Sequence, residues 1–493
     1  MATVAVTDML IVIPSRLQVG QTFAIKVKLR GAVRDIPVEA TWATSKPGLG
    51  SPFNLNVQRG IQYKDDCPAQ WTGKLRVEAP GLAGPGELTF DGERQGAFAG
   101  DTRPIGVFEG FRFEQPGVHF VKLIDEASGL EAWSNAAHAT AEAPTRRLWW
   151  GDPHFHTIFS DAIRCPEELY AFARDEAFLD FAAMTDHMEA LTDTMWSYFQ
   201  MVTDAYNAPG RFATMQGQEW TNHRKECGAP GHRNIYFPGA SGRALRCTDE
   251  DCDTLEKLWA RLGEMAELRP ITIPHHCSNH IMGIDWEQGW NGRFDRAVEV
   301  YSVWGNSERP AAAGNPRPIR AGGGEVQGRH WIDAIKAGFR AGFVGGGDVH
   351  DGRPGDELHT QQTAVAGYAD HLWPQGFTAA WAPTLARQGV FDAIAHRRTY
   401  ATTRRRIYLD VSGDEEAAPS RIRLIAASED GVDHVAVVRN GEDVEQVVPA
   451  DDARIVQGDL AMEKLGPDEF CYLRVQTVAG HLAWSQPWYG DGR

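Results

Sequence analysis

Five apolar runs in the middle of the chain each end on a histidine or an acid, and this recurrence restricts the possible folds more than any other feature. The first reads Leu148-Trp149-Trp150, then Gly151-Asp152-Pro153, then His154-Phe155-His156, with Asp161 a few residues on. Residues two apart on a strand point the same way, so both rings face one spot. Leu179 to Met184 closes on Thr185-Asp186-His187, and Arg211 to Gly217 closes on Gln218-Glu219-Trp220. Ile271 to Pro274 runs into His275-His276, and Ala341 to Gly347 into Asp348-Val349-His350. A lone His-x-His is equally two rings bonded to backbone. Five endings in series point to strands that deliver side chains to a shared place, and imidazole mixed with carboxylate suits zinc, manganese and iron alike.

Helical signals lie between these runs. Pro166 stands where a helix begins, Glu167 and Glu168 favour its positive end, and Leu169, Phe172, Ala173 and Ala177 form one apolar face. Met195, Phe199, Val202 and Tyr206 mark a second helix, Leu255, Leu258, Trp259, Leu262 and Met265 a third, and Trp331, Ile335 and Phe339 another. Strands alternating with helices predict a parallel sheet, closed into a barrel, and barrel enzymes carry their chemistry at the C-terminal strand ends. Residues 1–145 read instead as short strands between Gly and Pro turns: Leu10-Ile-Val-Ile, Phe23 to Leu29, Gly73 to Val77, Glu87 to Phe90 and Val118 to Leu123. A β-sandwich is the expectation there, joined at Thr140 to Thr145 to the barrel and serving as packing and lid. From 406 to 493 strands return, at Ile407 to Val411, Arg421 to Ile425, His434 to Arg439 and Phe470 to Val475, with Asn440-Gly441 as a hairpin turn. This predicts a second, small β-sandwich.

In order, type and spacing, His154-x-His156, Asp161, Thr185-Asp186-His187, Glu219, His232, His275 and Asp348-x-His350 resemble the motifs of the PHP (polymerase and histidinol phosphatase) metallohydrolases. The closest likeness is to an uncharacterised branch with a Gly-Asp-x-His-x-His-Thr start and extra β-domains, and it covers roughly residues 147 to 405. It implies an α/β chain with a distorted (β/α)7 barrel over 146–405 and two or three divalent cations, zinc, manganese or iron. By the same resemblance one cation takes His154, His156, Glu219 and Asp348, with Glu219 bridging to a second on His232 and His275, and a third takes Asp161, His187 and His350. A metal-bound hydroxide is then the nucleophile, and the chain shows no G-x-S-x-G elbow that would supply a serine instead.

Each ligand keeps another reading. Asp161 is equally a helix cap, His187 a loop ring bonded to Asp186, and Glu219 the partner of an arginine. His232 sits in what reads as a loop, Gly231-His-Arg-Asn. His275 is preferred over His276 because it directly follows the apolar run, leaving His276 beside a ligand or against substrate. Glu299, in mid-strand, orients a ligand or is a paired core carboxylate. Arg164, Arg233 and Arg353 flank ligand motifs and suit an anionic substrate, with a surface or ion-pair role as the alternative for each. Of the glycine runs, Gly345 to Gly347 lets backbone pass close to the cluster and Gly322 to Gly324 marks a mobile loop. Loops Asn222 to Gly231 and Asn306 to Gly328 are expected to select the substrate.

The leading expectation is a metal-dependent hydrolase acting on a phosphate ester of a small anionic molecule. The same metals suit a carboxyl ester, amide or lactone, and a third reading is a non-catalytic carbohydrate- or partner-binding protein with a vestigial barrel. The intact ligand set argues against the last. A net charge of −17 argues against a nucleic-acid partner. No apolar run approaches the roughly 18 residues of a membrane span. The N-terminal residues lack a basic stretch followed by an apolar one, so no signal peptide is expected. Seven cysteines, an odd count, favour a reducing cytoplasm; Cys227, Cys247 and Cys252 read as free thiols rather than a zinc knuckle. Oligomeric state stays open.

Overall fold

The computed structural model describes residues 6–31, 34–37, 62–65, 71–92, 104–162, 164–222, 230–239, 242–358, 371–413 and 420–491. Near its start, Val6–Val12, Phe23–Gly31, Ile105–Phe113 and Leu82–Ala83 form one four-stranded sheet, and Leu130–Trp133, Lys122–Asp125, Gly73–Glu78 and Glu87–Phe90 form another. Ile25, Val27 and Leu29 alternate along their strand and bury their side chains against Leu75, Leu88 and Leu123 of the second sheet in a common core. The run Val118 to Leu123 is two strands rather than one. Gly117–His119 joins a three-stranded sheet, and the chain turns at Phe120 and Val121 before Lys122. Lys28 is buried on the same strand as this core, and its ammonium lies 3.4 Å from the Glu176 carboxylate at the end of the first helix, tying the two regions together.

The central strands are β1 (Arg147–Phe155), β2 (Phe181–Met184), β3 (Gln216–Thr221), β4 (His232–Phe237), β5 (Ile271–His275), β6 (Ala297–Ser302), β7 (Gly342–Gly345), β8 (Gly376–Ala382) and β9 (Thr399–Thr403). β1 and β2 pair in parallel, and an isolated parallel bridge, His187↔Glu219, carries the pairing to the end of β3. β3, β4 and β5 are antiparallel neighbours, so β3 and β5 run together with β4 reversed between them. A bridge Thr272↔Asp295 leads on to β6, which is parallel to β7, and Phe155↔Val349 joins the ends of β1 and the segment after β7. β8 and β9 add to the other edge of β1 in antiparallel order.

The helices are α1 (Pro166–Asp175), α2 (Asp193–Tyr206), α3 (Leu255–Glu264), α4 (Trp286–Gly289), α5 (Trp331–Lys336) and α6 (Arg387–Ala395). α1 starts with proline, its Glu168 carboxylate accepts the Cys165 N–H, and it buries Leu169, Tyr170 and Phe172. Thr192 Oγ1 caps α2 by accepting the Met195 N–H. α5 stops short of Phe339, because Gly338 takes a left-handed conformation (φ 96°) just past its end. The strict strand–helix alternation fails at β4. No helix stands among the described residues between β3 and β4, and a strand that returns without a crossover pairs antiparallel.

Past residue 406 the strands divide. Tyr408–Gly413, Arg421–Ala427 and Ile455–Ala461 form their own antiparallel sheet, whereas Leu482–Trp484 pairs with β9 through Ala401↔Trp484. Phe470–Thr477, Val432–Arg439 and Glu442–Val447 extend that pairing, so a single ten-stranded sheet runs from the β1 region into the C-terminal segment. Asn440 and Gly441, both with positive φ (53° and 89°), make the tight turn between two of these strands. No helix among the described residues is long and apolar enough to cross a membrane.

Buried His481 in this segment accepts from the Arg317 guanidinium at 3.1 Å. Burial, reinforced by Arg317, Arg405 and Arg404, pushes its pKa down to about 2. A depressed pKa means the folded chain resists a proton that the unfolded chain accepts below about 6.5, so the stability is whole above that pH and drains away as pH falls toward 2. At pH 5.5 the expected loss is on the order of 1 kcal/mol relative to pH 8. Urea unfolding of wild type and His481→Gln at both pH values checks it: the variant should show a shallower acid dependence, and parallel curves would refute the assignment.

Candidate metal centre

Every ligand candidate lies at or just beyond the C-terminal end of a central strand, except His232, which opens β4. Because β4 is reversed, its first residue lies at the same end as the others, paired with Thr221 of β3 and His275 of β5. His232 is therefore on a strand, not in a loop.

Glu219, fully buried, is the hub. Its Oε2 lies 3.4 Å from His154 Nε2 and 3.3 Å from His156 Nε2. Its Oε1 lies 3.3 Å from His187 Nδ1, 3.0 Å from His232 Nδ1 and 3.3 Å from His275 Nε2. Among the described residues, the partners of this carboxylate are imidazoles rather than an arginine. Asp348 is a second centre, with Oδ1 3.2 Å from His154 Nε2 and 3.1 Å from His156 Nε2, and Oδ2 3.1 Å from His276 Nε2. Asp161 is a third: it lies 3.1 Å from His350 Nε2 and 3.6 Å from His187 Nε2. Asp161 is not the helix cap, since Cys165 holds that position, and His187 does not bond Asp186, whose carboxylate takes Thr157 and Ser160 instead.

Potential ligand atoms fall into four overlapping groups, each within 4.8 Å: His156, Asp161, His187 and His350; His232, His275 and His276; His154, His156 and Asp348; His154, Glu219 and His275. All nine expected ligands belong to one of these groups. His276 joins them as well, so both members of the His275-His276 pair reach the cluster. The His275 Nδ1 atom is buried without a hydrogen-bond partner. This donor set fits divalent cations: oxygens and imidazole nitrogens converge in a buried space where a cation would compensate charges that the protein cannot solvate.

The electrostatics describe the same need. Burial alone would lower the His154 pKa, but Asp348 and Glu299 outweigh it and hold the ring well above its usual range. Burial would raise the Asp348 carboxyl, and His154 and His276 instead keep it well below the ordinary carboxylate range.

Supporting groups set ring orientation. The Glu299 carboxylate lies 2.8 Å from His154 Nδ1, so Glu299 orients a ligand candidate and fixes the tautomer that turns Nε2 to the cluster. His350 Nδ1 lies 3.0 Å from the Asp348 carbonyl and so carries the proton there, leaving Nε2 toward Asp161. Sequence reasoning missed Asp152, which accepts the N–H groups of Gly347 and His154 and whose carboxyl burial pushes up to about 7. It also missed Thr221, whose hydroxyl lies 2.7 Å from His187 Nδ1. The i, i+2 spacing of Asp152 with His154 was the available signal. A Cβ at Gly346 would overlap the Glu299 carboxylate and lie 2.8 Å from His154 Cβ, so this backbone does pass against the cluster. Gly322 to Gly324 all take positive φ, and the first two pack against Asn279 and His280.

The arginine candidates separate. Arg233 alternates with His232 on β4 and points away: its guanidinium bonds Asp295 at 3.2 Å and the carbonyls of Pro230 and Gly289 at 3.0 and 2.9 Å. It is a structural ion-pair residue, as strand period dictates. Arg164, with φ 72°, lies 5.6 Å over the Phe172 ring and packs along Gly352, and Arg353 is buried in the same segment after His350. Cys227 and most of the Asn222 to Gly231 loop lie outside the described residues. The described cysteines are free thiols, Cys247 and Cys252 among them.

A family model described as a protein of unknown function, DUF3604, matches residues 166–298 and 337–436. An uncharacterised protein of Chlamydia muridarum is 27% identical over 412 residues, covering 77% of this chain and 63% of its own length. One from Chlamydia pneumoniae is 26% identical over 407 residues with the same coverages. The chain thus spans about 63% of the length of these curated relatives. Among solved structures, a two-domain protein from Bacteroides vulgatus containing a predicted PHP-like metal-dependent phosphoesterase aligns with TM-score 0.37 and 13% identity, over 68% of this chain and 91% of that one.

Proposed function

We propose that this chain is a metal-dependent hydrolase, acting on a phosphate ester of a small anionic molecule. The observation that carries the reading is the ring of five imidazoles around the buried Glu219 carboxylate, continuous through His154 and His156 with Asp348 and through His187 with Asp161. The proposed holders are His154, His156, Glu219 and Asp348 for one cation, Glu219, His232 and His275 for a second, and Asp161, His187 and His350 for a third. His276 is an added donor to the first two. Bound divalent cations supply Lewis acidity and lower the pKa of water toward neutrality. The protein's own part is to pre-set this charge. Glu299 and the Asp348 carbonyl fix ring tautomers, and burial keeps bulk water out. Arg164 and Arg353, next to the strand end that carries His350, are the groups proposed to bind the non-bridging oxygens; Arg233 is withdrawn from that role.

The fold belongs to the same proposal. The pairings from β1 to β7 support a distorted (β/α)7 barrel with β4 reversed, between sandwich-like regions at 1–145 and 406–493. The chain purified with manganese or zinc, tested on aryl phosphates, phosphodiesters and carboxyl esters, is expected to turn over a phosphate ester, to stop with chelator and to recover on metal add-back. Turnover of carboxyl esters alone, with no inhibition by phosphate, would remove the phosphoesterase reading. Near-zero metal content and no activity on add-back would remove the enzyme reading in favour of a binding protein.

A further inference from the structure

His275 and His276 are consecutive, and consecutive residues of a strand point to opposite faces. Both nevertheless reach the metal centre: His275 Nε2 lies 3.3 Å from Glu219 Oε1, and His276 Nε2 lies 3.1 Å from Asp348 Oδ2. The second ring arrives because the backbone leaves the extended region directly after β5, where His276 takes a left-handed conformation (φ 45°). A Cβ crowds that conformation, so a residue other than glycine stays there only where its surroundings hold it. Two other rings of the cluster are held by a partner behind them, His154 by Glu299 and His350 by the Asp348 carbonyl. His276 is held differently. Its Nδ1 is buried without a hydrogen-bond partner among the described residues, and the Trp304 ring, 5.3 Å away between centroids, offers it a wall. Its direction depends on the turn it belongs to.

Asn279, fully buried, closes that turn. Its N–H donates to the His276 carbonyl at 2.7 Å, and its side-chain oxygen accepts the N–H groups of Ile281 and Met282, each at 2.9 Å. An asparagine used in this way replaces the backbone partners that a sharp bend cannot supply. The other end of the same amide, Nδ2, donates to the Ala321 carbonyl at 2.9 Å. Two N–H donors on one side and a carbonyl on the other fix which amide atom is the oxygen. Backbone bonds run alongside, from the His280 N–H to the Gly324 carbonyl at 2.9 Å and from the Val326 N–H to the Ser278 carbonyl at 2.7 Å. Gly322 is pressed against the amide, since a Cβ there would lie 3.1 Å from Nδ2 and 3.2 Å from Oδ1. One buried side chain thus joins the His276 turn to the segment 321–326.

We propose that Asn279 is a positioning residue for the metal centre: it holds His276 in the left-handed turn that brings Nε2 beside Asp348 as a donor to a divalent cation, and it ties that donor to the segment 321–326. The proposal rests on the metal-binding part of the function proposed above and not on the bond that is hydrolysed. Without the Asn279 amide, the His276 backbone is free to return to the extended form. Its ring then swings to the opposite face, away from Asp348, while His275 stays on Glu219.

The probe is cobalt(II) alone, titrated into the full chain after a chelator has removed its metals. Elemental analysis reads uptake, chelator competition reads affinity, and the visible absorption of the bound ion reads its coordination. His276→Ala sets the scale, and Asn279→Ala should match it: one cobalt equivalent weakened by about 10- to 100-fold, with the same change in the visible spectrum and the other equivalents untouched. The double variant should bind no more weakly than either single one, because two residues that act through one donor do not add. Asn279→Asp keeps the acceptor for Ile281 and Met282 but sets an oxygen against the Ala321 carbonyl, so it should lose less affinity at the same equivalent; it carries the test where Asn279→Ala is too unstable to purify. Losses that multiply in the double variant, or a weakening spread over every equivalent, would assign Asn279 to general stability and overturn the proposal. Wild-type cobalt binding in both Asn279 variants, or in His276→Ala, overturns it as well. A wild-type chain that takes up no cobalt removes the metal-centre reading and this one together. The expected cobalt losses in a chain that hydrolyses no phosphate ester would instead sink the phosphoesterase reading and leave the role of Asn279 standing.

Discussion

Glu219→Gln is expected to lower kcat/KM on the responsive phosphate ester by about 1,000-fold, the equivalent of about 4 kcal/mol of transition-state stabilisation. The substitution keeps the size of the side chain and removes the one carboxylate that all five surrounding imidazoles share. Elemental analysis of the purified variant should show at least one metal equivalent missing. Glu299→Gln makes the graded comparison, because Glu299 touches the His154 ring from behind and its loss should weaken metal binding by only about 10- to 100-fold. Full metal content and wild-type activity in Glu219→Gln would show that the ring of histidines is a packing feature.

The second large effect is on stability. Glu308, buried between the central strands and the C-terminal segment, accepts from Tyr472 Oη at 2.5 Å, Trp484 Nε1 at 2.7 Å and Arg474 Nη1 at 2.8 Å. Glu308→Ala strands the Tyr472 and Trp484 donors and leaves Arg474 with Asp443 as its remaining partner, a loss of about 3 kcal/mol, the low end for breaking a buried pair. Urea unfolding followed by tryptophan fluorescence should register that fall, with metal content unchanged because Glu308 is not among the grouped metal-ligand candidates. A double Glu308→Leu, Arg474→Met variant should recover most of the loss, since no buried charge is left alone. A single variant as stable as wild type would mean that water reaches these groups.

How much of this was legible beforehand depended on periodicity. Strand ends carrying His154, His156, Asp348 and His350 could be read because the i, i+2 rule turns spacing directly into direction. The same rule governs Arg233: its neighbour His232 faces the cluster, so Arg233 faces away. His232 itself was misjudged as a loop residue because one histidine before a polar stretch gives no sign that a strand is reversed there. Asp152 and Thr221 support the cluster through hydrogen bonds to backbone and ring, and such partners follow from three-dimensional neighbours rather than from local pattern. At residue 405/406 the sequence pattern changes from helices to strands. Sheet membership ignores that change of composition, since Trp484 pairs with Ala401 across it.

That shared sheet has a consequence for anyone shortening the protein. Cutting the chain after residue 405 would strip the neighbour from β9 and leave a row of unsatisfied amide and carbonyl groups beside the apolar faces of Tyr400 and Ala401. Such a fragment would carry a sticky template for other molecules, so the part that bears the histidine cluster is expected to precipitate when expressed without its tail.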